Sequence, residues 1–208
     1  IQTIITLLRQ KVGQDFSAYK RGTLERRIHR RMGLRGLPAG ALARYRDELA
    51  VNEEECLALA EDLLINVTSF FRDPTVFDLL ESRVIPDLLT NLAANQALRV
   101  WVAGCSTGEE AYSLAIIMRD AIMASRREIK LQVFASDIDA QAIAVAREGL
   151  YSLSIKEEVS ADRLERYFVK EDNGYRVTPS LRGAVVFTVQ DVLTDPPFSR
   201  MDLVSCRK

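Results

Sequence analysis

The sequence is short of the residues on which most site chemistries depend. One histidine, His29, among 208 residues excludes histidine-based triads and multi-histidine metal sites by count. Three cysteines, Cys56, Cys105 and Cys206, are odd in number and widely spaced, with no C-x-x-C pair. That pattern argues against a disulfide framework and a structural zinc site, so reduced thiols and no bound metal are expected. No apolar run is long enough to span a bilayer, and there is no charged, apolar, small-residue leader. Neither membrane insertion nor export is therefore expected, and the expected location is cytoplasmic. Neither sign of charge dominates, with 28 Lys and Arg against 29 Asp and Glu. The rest is globular in type: 48% of residues are apolar, enough for a core in one or two domains.

The chain is organised around one stretch. Val100, Trp101, Val102 and Ala103 form an apolar run suited to a parallel strand buried on both faces. Gly104-Cys105-Ser106-Thr107-Gly108 follows, and then Glu110, Ala111, Leu114, Ala115 and Met118 recur at helical spacing. Strand, glycine-bearing loop and helix make the opening of a βαβ unit, and Gly104 and Gly108 let a nucleotide-like ligand approach the backbone. Two common ligands are disfavoured. A Walker-type loop ends in Gly-Lys-Ser/Thr, whereas Gly108 precedes Glu109 and Glu110, whose carboxylates would repel phosphate. The loop also departs from G-x-G-x-x-G. A ligand with a cationic centre and no phosphate fits better, and S-adenosylmethionine is one. Residues 131–135 give a second apolar strand with Asp137 at its C-terminal end, where an acid hydrogen-bonds ribose in this class of fold. Asp139 reads as the N-cap of a helix over 140–148. The alternative is a tight turn followed by a helix N-terminus that is acidic because of its dipole.

Residues 1–72 read as an all-helical domain with apolar stripes Ile4-Ile5-Leu8, Leu24-Ile28-Met32, Leu42-Tyr45-Leu49 and Leu57-Ala60-Leu64. Between Lys20 and Arg35 lie seven cations against one acid, Glu25, and Arg27, Arg31 and Arg35 fall on one helical face. Tyr19 is the only aromatic beside them and the whole chain is not basic, so an acidic protein partner is preferred to nucleic acid. Arg27 and Arg31 are its candidate contacts, with simple solvation the plain alternative. Residues 66–72 form a polar connector anchored by Phe70 and Phe71. Asp73-Pro74 then reads as the N-cap and first turn of a helix on Phe77, Leu80 and Val84 that Pro86 restarts. Residues 73–208 read as an α/β domain with further core strands at 184–189 and 201–205. An antiparallel insertion at about 165–180 interrupts it, where Tyr167-Phe168-Val169 and Tyr175-Arg176-Val177 flank an Asn173-Gly174 turn.

Taken together these residues resemble the CheR-type chemotaxis receptor methyltransferases. The resemblance runs from Tyr19-Lys20-Arg21 through the stretches at 66–72, 102–110 and 134–139 to Ser205-Cys206-Arg207. It implies an α/β, Rossmann-like methyltransferase sheet with an N-terminal helical domain and a small antiparallel insertion. It also implies methyl transfer from S-adenosylmethionine, yielding S-adenosylhomocysteine, to glutamate carboxylates on the cytoplasmic helices of chemoreceptors. The family pattern places Asn66, Thr68 and Arg72 against the cofactor, Glu110 beside Gly104 in the glycine-loop half, Asp137 on the ribose, and Asp191 and Val192 near the adenine. Arg72, with its planar fork, is also the candidate catalytic residue, orienting a carboxylate. One departure is expected to matter. The family motif continues from Cys-Arg into an asparagine and an apolar run with a tyrosine, whereas Lys208 follows Arg207 here, so C-terminal strands of the sheet are expected to be missing. The rival function is a catalytically silent module that binds receptors or senses S-adenosylmethionine.

Overall fold

The computed structural model describes residues 1–64 and 68–207, and the chain divides into two units, Ile1–Ile65 and Asn66–Lys208. The first unit is built from the four stripes: α1 (Gln2–Val12), α2 (Arg21–Leu34), α3 (Leu42–Val51) and α4 (Glu53–Leu63). The stripes of the first three helices face inward, whereas in α4 the buried apolar face is Cys56, Leu59, Ala60 and Leu63 and Leu57 of the expected stripe is exposed; Leu8, Ile28, Met32, Tyr45, Leu49, Leu59 and Leu63 are fully buried. Asn52 caps α4 by accepting from the Glu55 amide, and Gly13 ends α1 with φ 80, a left-handed C-cap that glycine reaches without strain.

Among the described residues of the second unit, four parallel strands form the main sheet, in the order β6-β2-β1-β7: β1 (Leu98–Ala103), β2 (Leu131–Asp137), β6 (Val185–Val189) and β7 (Leu203–Cys206). The register sets Ala103 opposite Ser136 and opposite Cys206, and Asp137 opposite Val189. The C-terminal ends of β1, β2 and β6 therefore lie side by side, the edge at which open α/β sheets bind ligands. α7 (Glu109–Ser125) follows β1, and its Ala111, Leu114, Ala115 and Met118 are buried in the core with Val100, Val102 and Val133. α8 (Ala140–Glu148) follows β2. The sheet is parallel and Rossmann-like, as the alternating pattern predicts.

Three local expectations change. The antiparallel insertion begins earlier than 165, because the two-residue β3 (Leu150–Tyr151) pairs with β5 (Gly174–Val177), which also pairs with β4 (Phe168–Glu171). A two-residue strand has no readable period. The insertion also holds a 3₁₀ turn at Leu153–Glu157 and α9 (Ala161–Tyr167), and α10 (Pro179–Arg182) follows β5. Pro86 stands in the first turn of a new helical segment, as expected, but no break precedes it. α5 (Pro74–Leu79) runs through a π-turn at Leu80–Val84 into α6 (Ile85–Asn91), and the widened turn accommodates a proline that cannot donate and would clash with the carbonyl four residues back. Asp73 stands at the N-cap of α5 but makes no side-chain cap bond, because its carboxylate is paired with Arg207.

Candidate functional site

Two glycines in the loop after β1 play different parts. Gly104 has φ +75 and, among the described residues, nothing within 4 Å of the position of a Cβ. Gly108 has φ +97, and a Cβ there would meet Ala146 Cβ at 2.8 Å, the Tyr151 hydroxyl at 3.0 Å and Phe187 at 3.2 Å. Gly104 thus leaves the backbone open to a ligand, whereas Gly108 lets the loop pack on its own protein. Ser106, between them, also has positive φ, 49°. Its amide donates to Asp137 Oδ2 at 2.7 Å, while the Asp139 amide donates to Asp137 Oδ1 at 3.0 Å. A carboxylate offers about four acceptor positions. With one backbone bond on each oxygen, Asp137 is held in place and keeps capacity for two more hydroxyls. Asp139 turns away and caps α8, accepting from Gln141 N at 2.8 Å and Ala142 N at 3.0 Å.

The two glutamates that open α7 also diverge. Glu110 Oε1 accepts from the Ser205 hydroxyl at 2.6 Å and Oε2 lies 3.9 Å from Arg207 Nη1. Glu109 accepts from Thr107 Oγ1 at 2.7 Å, and burial raises its carboxyl above the usual range. Burial also raises the Cys105 thiol and the Tyr112 and Tyr151 hydroxyls, which stay protonated near neutrality.

The connector comes to the same edge. Phe70 and Phe71 anchor it in this unit, with Phe70 packed edge-on against Tyr151 and Phe168 at ring separations of 4.9 and 5.5 Å. Phe71 and Asp73 have φ of 49° and 58° on either side of Arg72. That left-handed shape costs about 1–2 kcal/mol for an L-residue. Arg207 Nη1 donates to the Arg72 carbonyl at 2.7 Å, and with its reach toward Glu110 it brings Arg72 and Glu110 to one place. Beside β2, the Gln190 amide donates to the Asp137 carbonyl at 2.9 Å, so Asp191 and Val192 follow directly on the Asp137 edge. Asp191 Oδ1 accepts from Leu193 N and shapes a tight turn, and Val192 is half exposed. The structure therefore brings together Gly104, Glu110, Asp137, Asp191, Val192 and the connector. Asn66 lies outside the described residues.

Arg27 and Arg31 belong to the helical unit, where the chain itself engages them. Arg31 forks onto the buried Glu55 at 2.6 and 3.0 Å, and Arg27 donates to the Asp62 carbonyl at 2.6 Å. Arg30 pairs with Asp62 and Arg35 with Glu48. Acids from α3 and α4 thus offset much of the charge that α2 shows in the sequence, a balance no count along α2 could reveal.

Comparison with known proteins identifies the family. Residues 66–208 match the CheR methyltransferase, SAM binding domain, and residues 1–64 match the CheR methyltransferase, all-alpha domain. The chain belongs to the CheR methyltransferase family. It is 41% identical over 204 residues to a 104.1 kDa protein of Rhodobacter capsulatus, covering 98% of this chain but 21% of that protein. It is 31% identical over 202 residues to the chemotaxis protein methyltransferase of Listeria innocua, covering 97% of the chain and 74% of the relative. With the chemotaxis protein methyltransferase of Salmonella typhimurium the identity is 34% over 197 residues, 91% of the chain and 64% of the relative. This CheR chain is an S-adenosylmethionine-dependent methyltransferase, and its residues fit that cofactor: Gly104 is open, and Asp137 is fixed with acceptors to spare. Among the described residues no helix is long and apolar enough to cross a membrane. The part of the CheR site that sequence reasoning missed is the support: Ser106, Ser113, Glu158 and the bridging role of Arg207. Their partners are distant in sequence, and the signal for each is a contact, not a pattern.

Proposed function

We propose that this CheR chain methylates glutamate side-chain carboxylates on the helical cytoplasmic region of chemoreceptors. The observation that carries the site is the half-satisfied Asp137 carboxylate beside the open Gly104 backbone. In this reading Asp137 takes the ribose hydroxyls, and Asp191 and Val192 flank the adenine. Thr68, Arg72 and Glu110 hold the methionyl half, with Asn66 as their neighbour on the connector. When bound, S-adenosylmethionine supplies an electrophilic methyl group and leaves as S-adenosylhomocysteine.

The groups around the loop favour a carboxylate acceptor. Cys105, Tyr112 and Tyr151 are kept protonated by burial and are poor bases, and His29 is the sole histidine. A glutamate with a pKa near ~4.3 is already ionised and needs no base. What remains for the protein is alignment, and proximity and orientation contribute about 7–11 kcal/mol to such reactions. Arg72, exposed on the connector, offers a planar fork to hold one carboxylate in line. On α2, Arg26 and Arg30 are more exposed than Arg27 and Arg31. The four together attract an acidic helix, with Arg31 acting mainly by shaping the surface. The names of the Listeria and Salmonella relatives support the chemotaxis setting.

The test is transfer of a labelled methyl group to a receptor cytoplasmic fragment. Alkali-labile label on glutamates, abolished when those glutamates are glutamine, is the expected result. Binding of cofactor and receptor without transfer would make the chain a silent receptor-binding module instead. Base-stable label would assign a different acceptor.

A further inference from the structure

The connector that carries Thr68 and Arg72 holds a backbone shape that does not persist unaided, with Phe71 at φ 49 and Asp73 at φ 58 on either side of Arg72. Such residues stay put only where their surroundings over-determine them. Among the described residues, three do so here by hydrogen bonds. Arg207 donates to the Arg72 carbonyl, and the Phe71 amide donates to Ser113 Oγ at 3.0 Å, the same hydroxyl donating to the Glu109 carbonyl at 2.7 Å. The third comes from another part of the unit: the Phe70 amide donates to Glu158 Oε2 at 2.8 Å across 88 residues. Glu158 closes the 3₁₀ turn of the antiparallel insertion, and the Phe70 ring rests on Tyr151 and Phe168 of that same insertion. Ser113 sits on α7 and Arg207 follows β7, so both belong to the main sheet and its helices. Glu158 is the bond by which the insertion takes hold of the connector backbone.

We propose that Glu158 is a positioning residue: its carboxylate fixes the Phe70 amide so that the connector presents Thr68 and Arg72 to the cofactor. The inference rests on the reading that Thr68 and Arg72 contact the cofactor. Glu158 itself touches neither cofactor nor substrate in this assignment. Its effect is preorganisation, and the bond it supplies is charge-assisted and stronger than a neutral one. The insertion is then part of the cofactor site, since removing the Glu158 carboxylate takes away its hydrogen bond to the connector backbone.

The experiment compares Glu158→Ala with Glu158→Gln, whose amide oxygen still accepts the Phe70 N–H. Hydrogen exchange of the Phe70 amide is followed in the ligand-free protein, and S-adenosylhomocysteine affinity is measured by calorimetry. Glu158→Ala is expected to speed Phe70 exchange by about tenfold and to weaken S-adenosylhomocysteine binding by about tenfold, and Glu158→Gln to restore most of both. Wild-type affinity in Glu158→Ala despite faster exchange would overturn the proposal, as would equal losses in the two variants. Should Glu158→Ala not fold, the shorter Glu158→Asp replaces it under the same criteria. Thr68→Ala and Arg72→Ala separate the two failures. If neither weakens S-adenosylhomocysteine binding, the reading of the connector falls. If both do and Glu158→Ala does not, only the role of Glu158 falls.

Discussion

Two carboxylates, one in each unit, differ in how fully the chain itself satisfies them. Glu55 in the helical unit is 4% exposed and accepts from Arg31 Nε at 3.0 Å, Arg31 Nη2 at 2.6 Å and the Tyr45 hydroxyl at 2.7 Å. Burial by itself would raise its carboxyl, yet Arg31, Tyr45 and Arg35 together hold it below the ordinary carboxylate range. Asp137 in the α/β unit is held by two backbone amides, one on each oxygen, and is only partly buried. The chain nearly saturates Glu55 and leaves Asp137 half satisfied. A fixed acid with unused acceptors at the C-terminal edge of a parallel sheet is what a ribose requires.

The sharpest way to break this comparison is Arg31→Ala. It leaves Glu55 buried without its fork and is expected to destabilise the helical unit by about 3–5 kcal/mol, while S-adenosylhomocysteine affinity is unchanged. Denaturant unfolding and calorimetry on the same variant check both halves. A folded, stable variant that fails only with receptor would instead make Arg31 a substrate contact.

Acid sharpens the same contrast. Because the folded Glu55 carboxyl titrates below its unfolded value, its contribution is complete above about pH 5 and is lost as pH falls below about 4. Exchange protection of α2 to α4 is expected to decline in that window, and in Glu55→Gln this part of the decline should disappear.

Asp137→Asn comes next in size. It removes the charge and one acceptor, and it is expected to weaken S-adenosylhomocysteine binding by about 1–3 kcal/mol, one to two decades in affinity, with protection of the helical unit unchanged. The smallest effect is expected two residues on. Asn caps a helix about as well as Asp, so Asp139→Asn should alter affinity and melting temperature only within a few tenths of a kcal/mol. If the Asp139 change weakened binding and the Asp137 change did not, the ribose contact would belong to Asp139.

Much of this site is legible along the chain because its pieces are local. The apolar run at 100–103, the glycines after it, the helical spacing from Glu110 and the Asp139 cap all depend on residues within a few positions of one another. The main sheet, the helical unit and Asp137 follow from such signals. The same reading misses β3, whose two residues carry no period, and it does not distinguish Gly104 from Gly108, where Ala146, Tyr151 and Phe187 are the neighbours that exclude a side chain.

The basic α2 shows where local information stops. The stretch from Lys20 to Arg35 displays seven cations and one acid, and the neutralising partners Glu48, Glu55 and Asp62 sit on other helices. The connector is the same case: its shape is held by Glu158, Ser113 and Arg207, which are 88, 42 and 135 residues from the groups they bind. Periodicity and capping are energies between neighbours in the chain, so strand, loop, helix and the placement of an acid at a strand end are written in the sequence. Which carboxylate is saturated, which arginine remains available and what holds Arg72 in place are energies between distant segments, and those exist only once the chain has folded.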